Sequence, residues 1–193
     1  MVKYVVATYK ADPNRVFSMG TSSGAMMTNV LIGVYPDVFA ADVWSNDCAT
    51  GQIVKTGEQW KIIVQAAYPG YTGFRPKMWV LHGTNDTTLY PQNLREEIKE
   101  WTSVLHQSTT PLTTRSNWPD ADWTTWNYGT KFRATSAAGV THNIPTNESV
   151  VIDYFDLKWI YGPTQCVDGS YCSENSFYWQ CLPITKKTLG TRS

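Results

Sequence analysis

Charge is sparse in this sequence and evenly balanced. Of 193 residues only 17% are charged, and 16 basic residues offset 16 acidic ones for a formal net charge of zero. No field of one sign is available to draw in nucleic acid or an anionic membrane surface, so neither is expected as a partner. No stretch is apolar for long enough to cross a bilayer. Residues 1–10 lack the basic-then-apolar layout and small-residue cleavage site of a secretory leader. Histidine is scarce, at 3 residues, and no Cys/His cluster has the spacing of zinc ligands. There is no glycine-rich phosphate loop either. The expectation is a protein without metal or cofactor.

What is present points to a packed globular chain. Hydrophobic residues make up 42%, which argues against disorder, and the length suits one domain with a small appendage. Aromatics are plentiful, with 9 Trp and 11 Tyr. Their flat rings suit sugar faces and equally suit an ordinary core. The 4 cysteines are Cys48, Cys166, Cys172 and Cys181, three of them crowded near the C-terminus. That crowding suggests a disulfide-stapled element and an oxidising compartment, with free thiols as the alternative.

Periodicity gives an alternation of strands and helices. Val2, Val5, Val6 and Tyr9 lie at helical spacing. Arg15–Met19 reads as a short strand, Gly20–Gly24 as a tight bend, and Ala25–Val34 as a helix ended by Pro36. Phe39–Trp44 fits a strand, and Asn46–Gly51 a polar loop. Thr56 and Gln59 form a capping-box pattern ahead of Trp60, Ile63, Val64 and Ala67 on one helical face, stopped by Pro69-Gly70. Met78–Leu81 is an apolar strand. Leu94, Ile98, Trp101 and Leu105 mark a long amphipathic helix. Ser108–Pro119 is polar and irregular, Trp123–Tyr128 and Phe132–Ser136 are strands, Ser149–Leu157 is a last helix, and residues 184–193 are a loose tail. This order implies an α/β fold with a parallel sheet.

Gly20-Thr21-Ser22-Ser23-Gly24 matches the G-x-S-x-G pattern. Such a serine sits on a sharp strand-to-helix turn that lifts its hydroxyl above the sheet, and bulky flanking side chains would collide with the neighbouring strand and helix. An ordinary Gly/Ser turn is the bland alternative; the strand before it and the helix after it favour a nucleophile elbow. Ser23 is the rival nucleophile, but glycine does not flank it symmetrically. Its backbone N–H is better cast as an oxyanion donor. A serine needs a base, and the base an orienting carboxylate, in the chain order Ser, acid, His for an α/β-hydrolase. Asp86 follows a strand, and His142 lies on the loop after a later strand. Asp120 and Asp122 sit in an irregular stretch, and His106 trails a helix as a surface residue. His82 reads as structural, with a site-lining role as the alternative. Asn85-Asp86-Thr87 and Asn147-Glu148-Ser149 are glycosylation sequons, the first read as accidental because a glycan there would crowd the acid.

The runs Gly20-Thr21-Ser22-Ser23-Gly24-Ala25-Met26-Met27-Thr28-Asn29, Tyr35-Pro36-Asp37-Val38-Phe39 and His82-Gly83-Thr84-Asn85-Asp86-Thr87-Thr88-Leu89-Tyr90-Pro91 resemble acetylxylan esterases of carbohydrate esterase family one, relatives of feruloyl esterases and polyhydroxyalkanoate depolymerases. The resemblance covers residues 1–158. It implies an α/β-hydrolase fold with nucleophile Ser22, acid Asp86 and base His142. It also implies a secreted enzyme that uses no metal and removes acetyl groups from xylan of the plant cell wall. Residues 162–182 resemble the second half of a fungal-type cellulose-binding module. That likeness implies stacking aromatics at Phe177 and Tyr178, a Cys166–Cys181 disulfide, and Cys172 without its family partner. The resulting domain expectation is a partial esterase domain over 1–158, a partial binding module over 159–183 and a tail over 184–193.

Measured against the family, the chain starts inside the domain. The hydrolase fold is therefore expected to be incomplete, lacking the early strands of its sheet and the loop that gives a second oxyanion N–H. Two further readings follow: a feruloyl esterase, and a catalytically impaired remnant that at most binds polysaccharide.

Overall fold

The computed structural model describes residues 2–12, 16–34, 46–157, 170–174 and 179–183. The chain divides into two compact units, Met1–Pro145 and Thr146–Ser193, whereas the sequence pattern carries its first domain through residue 158. The first unit contains helices α1 (Val2–Tyr9), α2 (Ser23–Val34), α3 (Asn46–Ala49), α4 (Gly57–Ala67) and α5 (Gln92–Val104). Its strands are β1 (Met78–Gly83), β2 (Thr113–Ser116), β3 (Trp123–Asn127) and β4 (Phe132–Ala137). The second contains α6 (Glu148–Tyr154), β5 (Ser170–Glu174) and β6 (Trp179–Pro183).

The first unit's sheet runs β1-β4-β3-β2. Among the described residues β1 and β4 are the parallel pair, in register from Met78 opposite Phe132 to Gly83 opposite Ala137. The β3–β4 and β2–β3 pairs are antiparallel. The expected parallel sheet is thus a mixed one among the described residues. The short link over residues 128–131 cannot carry a parallel crossover, which needs a dozen or more residues, so β3 must turn back on β4. Strand β2 falls in the stretch read as irregular. All four of its residues are exposed. It is a polar edge strand held by its ladder to β3, and such a strand shows no apolar alternation to read. The strand expected at Arg15–Met19 does not form over its described residues 16–19. Val16 and Met19 are exposed there, with no buried face for a strand to present. The Asn46–Gly51 loop instead contains α3, closed by Thr50 N–H and Oγ1 on the Asn46 carbonyl. The strand expected at Phe39–Trp44 lies outside the described residues.

Helix α5 is the centre of the packing. Leu94 and Trp101 bury with Val64, Met78, Val104, Tyr128, Phe132 and Ala134, while Ile98 and Leu105 border this core. The expected stripe therefore faces the sheet. Helix α4 packs on α5 through a narrower face than expected: Val64 is buried, but Ile63 and Ala67 are exposed. Its start follows the anticipated capping box, with Gln59 N–H on Thr56 Oγ1 and Thr56 N–H on Gln59 Oε1. Gly57 stands where a Cβ would lie 2.8 Å from the Lys99 carbonyl, so the α5 backbone comes too close for any other residue. Helix α1 forms as its periodicity predicts, yet none of its residues is buried among the described residues; Val5 and Tyr9 are exposed.

Helices α4 and α5 share one buried carboxylate. Glu96 is 6% exposed. Its Oε2 accepts from Trp60 Nε1 at 2.8 Å and Lys55 N–H at 3.1 Å; its Oε1 accepts from Gln92 Nε2 at 2.7 Å and pairs with Lys99 Nζ at 2.6 Å. Burial pushes its pKa up, but these hydrogen bonds outweigh it and hold the group below the ordinary carboxylate value.

In the second unit, Asn147 caps α6, its side chain accepting from Val150 N–H. Strands β5 and β6 pair antiparallel and place Cys172 opposite Cys181. Cys166, the partner implied for Cys181 by family resemblance, lies outside the described residues, as do Phe177, Tyr178 and residues 184–193.

Removing the shared carboxylate leaves several buried donors unanswered. Glu96→Ala is expected to lower unfolding free energy in urea by about 2–4 kcal/mol at neutral pH. Because the folded pKa is depressed, that contribution is complete above the unfolded carboxylate value and is lost as pH falls through the folded one. The gap between wild type and Glu96→Ala should accordingly narrow in acid; a constant gap would show that the charge plays no part.

Candidate active site

Ser22 has a φ of +56°, in the left-handed region that a non-glycine residue enters only under constraint. The constraint is local. Gly24 N–H bonds the Thr21 carbonyl at 3.0 Å, and the Ser22 carbonyl accepts from Ala25 at 2.9 Å and Met26 at 3.1 Å, so α2 starts immediately after the bend. A Cβ on Gly20 would lie 2.2 Å from the Gly24 backbone, so only glycine fits there. A Cβ on Gly24 would meet nothing within 4 Å. The expected steric need for glycine at both flanks therefore holds at the first and not at the second among the described residues. Ser23 opens α2, where the first N–H groups have no intrahelical acceptor and meet the positive end of the helix dipole.

His142 joins the elbow to the acid. Its Nε2 is 2.9 Å from Ser22 Oγ, and its Nδ1 is 2.9 Å from Asp86 Oδ2. The carboxylate can only accept, so Nδ1 carries the proton and Nε2 faces the serine hydroxyl with its lone pair. Asp86 is 6% exposed. Its other oxygen, Oδ1, accepts from Thr88 N–H at 2.8 Å and Leu89 N–H at 2.9 Å. Burial pushes its pKa up; the bonds from His142, Leu89 and Thr88 prevail and keep it below the ordinary carboxylate value. The acid thus stays charged, with one oxygen fixed by its own loop and the other free to orient the imidazole.

The loops bearing acid and base are stitched together. Both leave the C-terminal ends of the parallel pair, where Gly83 stands opposite Ala137. Thr84 N–H bonds the Ala137 carbonyl at 3.0 Å, Asn85 N–H the Val140 carbonyl at 2.9 Å, and Gly139 N–H Thr84 Oγ1 at 2.9 Å. A Cβ on Gly83 would come within 2.3 Å of the Val140 carbonyl oxygen and 2.5 Å of that of Thr141, so the glycine lets the histidine loop cross directly over the strand end. Sequence pattern alone does not single out Thr84 or Gly139. The one legible signal is a glycine between an apolar strand and a candidate acid.

His82 is buried, with its Nε2 at 2.8 Å from the Leu89 carbonyl and 3.7 Å from Asp86 Oδ2. A carbonyl acceptor requires a proton on that nitrogen, so His82 braces the turn that feeds Leu89 N–H to the acid. It also borders a cavity of about 400 Å³ with Thr84, Arg95, Trp126 and Ser136. The structural role expected of His82 thus has its counterpart in the Leu89 contact, while this cavity includes none of Ser22, Asp86 and His142. His106, Asp120 and Asp122 are exposed and take no part in this cluster. Among the described residues, no three His, Cys, Asp or Glu side chains group as a metal site would require.

The arrangement is that of an activated serine: hydroxyl, imidazole and buried carboxylate in line, with a helix N-terminus beside the hydroxyl. Known proteins carry related chains. Acetylxylan esterase A of Aspergillus oryzae is 41% identical over 179 residues, covering 82% of this chain and 57% of its own. Feruloyl esterase B of Talaromyces funiculosus is 44% identical over 179 residues, covering 81% and 50%. The solved acetyl xylan esterase from Aspergillus awamori superposes with a TM-score of 0.77 at 37% identity, covering 81% of this chain and 64% of that one. The chain thus spans between half and two thirds of the length of these relatives, and its fold is of the α/β-hydrolase type. Residues 1–100 match the prolyl oligopeptidase family, Peptidase_S9, and the chain belongs to that family.

Proposed function

We propose that this chain carries the catalytic apparatus of a secreted serine esterase of carbohydrate esterase family one, which removes acetyl groups from xylan. The reading rests on one observation above the others: His142 lies 2.9 Å from both the Ser22 hydroxyl and the Asp86 carboxylate. In the reaction His142 Nε2 takes the proton of Ser22 as Oγ attacks the acetyl carbonyl carbon. Asp86 holds the ring and stabilises its charged form. The developing oxyanion is met by the Ser23 N–H. Collapse breaks the bond to the sugar oxygen, which takes the proton back from His142 and leaves as a hydroxyl. Water, deprotonated in turn by His142, then attacks the acetyl-Ser22 ester; collapse breaks the bond to Oγ, His142 returns the proton to Ser22, and acetate leaves.

Feruloyl ester hydrolysis is the second reading, favoured by the 44% identity to the Talaromyces enzyme. The two differ only in the acyl wall: a feruloyl group needs an apolar slot, an acetyl group does not. For residues 162–182 we propose descent from a cellulose-binding module, with Phe177 and Tyr178 as its stacking rings and Cys166–Cys181 as its disulfide.

Three measurements test these readings. A fluorophosphonate should label Ser22, and Ser22→Ala should abolish labelling; Asp86→Asn should slow turnover by about 10⁴-fold, since the ring loses its tautomer. Labelling that survives Ser22→Ala would place the nucleophile elsewhere. Next, turnover of a small acetyl ester should exceed that of a feruloyl ester; the reverse order establishes the second reading. Finally, cellulose pull-down should be weak and should vanish when residues 162–193 are deleted. Retention without that segment would remove any role for it in binding.

A further inference from the structure

Helix α2 begins at the nucleophile and has no charged residue. Asn29, two turns in, is its one amide side chain, and an asparagine inside a helix is unfavourable unless its polar atoms are used elsewhere. Here its amide nitrogen and oxygen are both used. Asn29 Nδ2 donates to Glu97 Oε1 at 2.8 Å. Asn29 Oδ1 accepts from Trp101 Nε1 at 2.6 Å, and the same indole N–H is shared with Glu97 Oε2 at 3.0 Å. The three groups close a ring of hydrogen bonds in which each donor meets an acceptor. Trp101 is 1% exposed and anchored in the core. Glu97 and Trp101 lie one turn apart on α5, the helix that leaves the loop of Asp86.

We propose that Asn29, Glu97 and Trp101 form a positioning clamp that holds the helix of the nucleophile in register with the helix of the acid. The proposal rests on the reading of Ser22 as nucleophile. Its physical basis is the geometry of α2. The Ser22 carbonyl is the first acceptor of that helix, so any slide or rotation of α2 carries the serine with it. The far end is fixed by Arg75 Nη1 on the carbonyls of Ile32 and Gly33, each at 3.2 Å. Towards α4, a Cβ on Gly33 would meet the Val64 side chain at 3.6 Å, an apolar contact that has no hydrogen-bond direction of its own. The ring supplies directional bonds between these two points. It is also maintained against a cost: burial pushes the Glu97 carboxyl up to about 7, against the pull of the Trp101 hydrogen bond, and Glu100 is raised by burial and by the charge of Glu97.

The ring's polarity can be reversed without changing its shape. Glu97→Gln brings an amide against either Asn29 Nδ2 or Trp101 Nε1, so two donors face each other whichever way the amides turn. Asn29→Asp sets two carboxylates together. In the double variant Asn29→Asp/Glu97→Gln every donor again finds an acceptor: the amide introduced on α5 donates to the carboxylate introduced on α2, and the indole N–H is shared as before.

The rate of fluorophosphonate labelling of Ser22 in the full chain, per folded molecule by circular dichroism, tests the clamp. Each single variant is expected to label more slowly by on the order of tenfold or more, because small misplacements at a reacting centre are expensive; the double variant should recover most of the wild-type rate. Single variants that melt lower but label at the wild-type rate would reduce the ring to a structural contact and overturn the proposal. A folded double variant that labels as slowly as the singles overturns it too. Should the singles not fold, the double variant decides alone, supporting the clamp if it folds and labels at the wild-type rate and sinking it if it folds and does not. If wild type itself is not labelled, the nucleophile reading falls and the clamp with it, which separates that failure from the others.

Discussion

An imidazole has two nitrogens on one rigid ring, and both must be in hydrogen-bond reach at once for a serine to be activated. That requirement fixes the positions of three chain segments, since His142 touches Ser22 and Asp86 at the same 2.9 Å. The partners are 120 and 56 residues away in sequence. Tolerance is a few tenths of an ångström, and loops alone do not hold such tolerances. The structure meets it by removing slack. Acid and base leave adjacent parallel strands at matched register, and their loops are sewn together by Thr84, Asn85, Gly139 and Val140 before either functional side chain is reached. Gly83 makes the sewing possible, because a single methyl group there would push the histidine loop away.

The same economy of motion governs the serine. A left-handed Ser22 stores roughly 1–3 kcal/mol of backbone strain, which persists only while the surroundings over-determine it. Helix α2 locks the residue on one side, and the contact of Gly20 with Gly24 closes the bend. The helix in turn leans on α4, and α4 on α5 through the Glu96 carboxylate, so the strain is carried by the packed layer of helices and ultimately by the α5 stripe on the sheet. Stability and site geometry are therefore one problem in this unit: the helix that leaves the acid loop is the one that joins α4 to the sheet.

Much of this is legible from residue pattern, and the exceptions share a cause. The elbow, Asp86 and His142 stand out because their chemistry demands rare residue types in a fixed chain order; with so few histidines the choice is narrow. Helix α5 is legible because Leu94, Ile98, Trp101 and Leu105 repeat at the helical period. Strand β2 is not, because an exposed polar edge strand is defined by its neighbour and carries no periodic signal of its own. The strand expected before the elbow does not form over residues 16–19: Val16 and Phe17 have strand propensity but lie exposed, and propensity alone does not make a strand. Asn29, Glu97 and Trp101 are equally hidden. Periodicity points to the Trp101 ring, and nothing in the sequence says that its N–H would meet an amide on a helix some seventy residues earlier.

The family to which the chain belongs is named for peptide cleavage, while the similar proteins with closely matching sequences are named as esterases. The triad geometry is indifferent to that difference. In the mechanism proposed above, attack by Ser22 on an ester or an amide carbonyl has the same first step, the same proton transfer to His142 and the same oxyanion. The divergence comes at collapse, when an amide nitrogen must be protonated before it can leave, whereas a sugar oxygen is already a tolerable leaving group. An active site selected for esters can therefore keep the full Ser–His–Asp machinery and change only the surfaces that grip the acyl and leaving groups. Specificity in such a protein resides in walls contributed by loops, and the common part is the apparatus that sets one hydroxyl, one ring and one carboxylate at fixed distance.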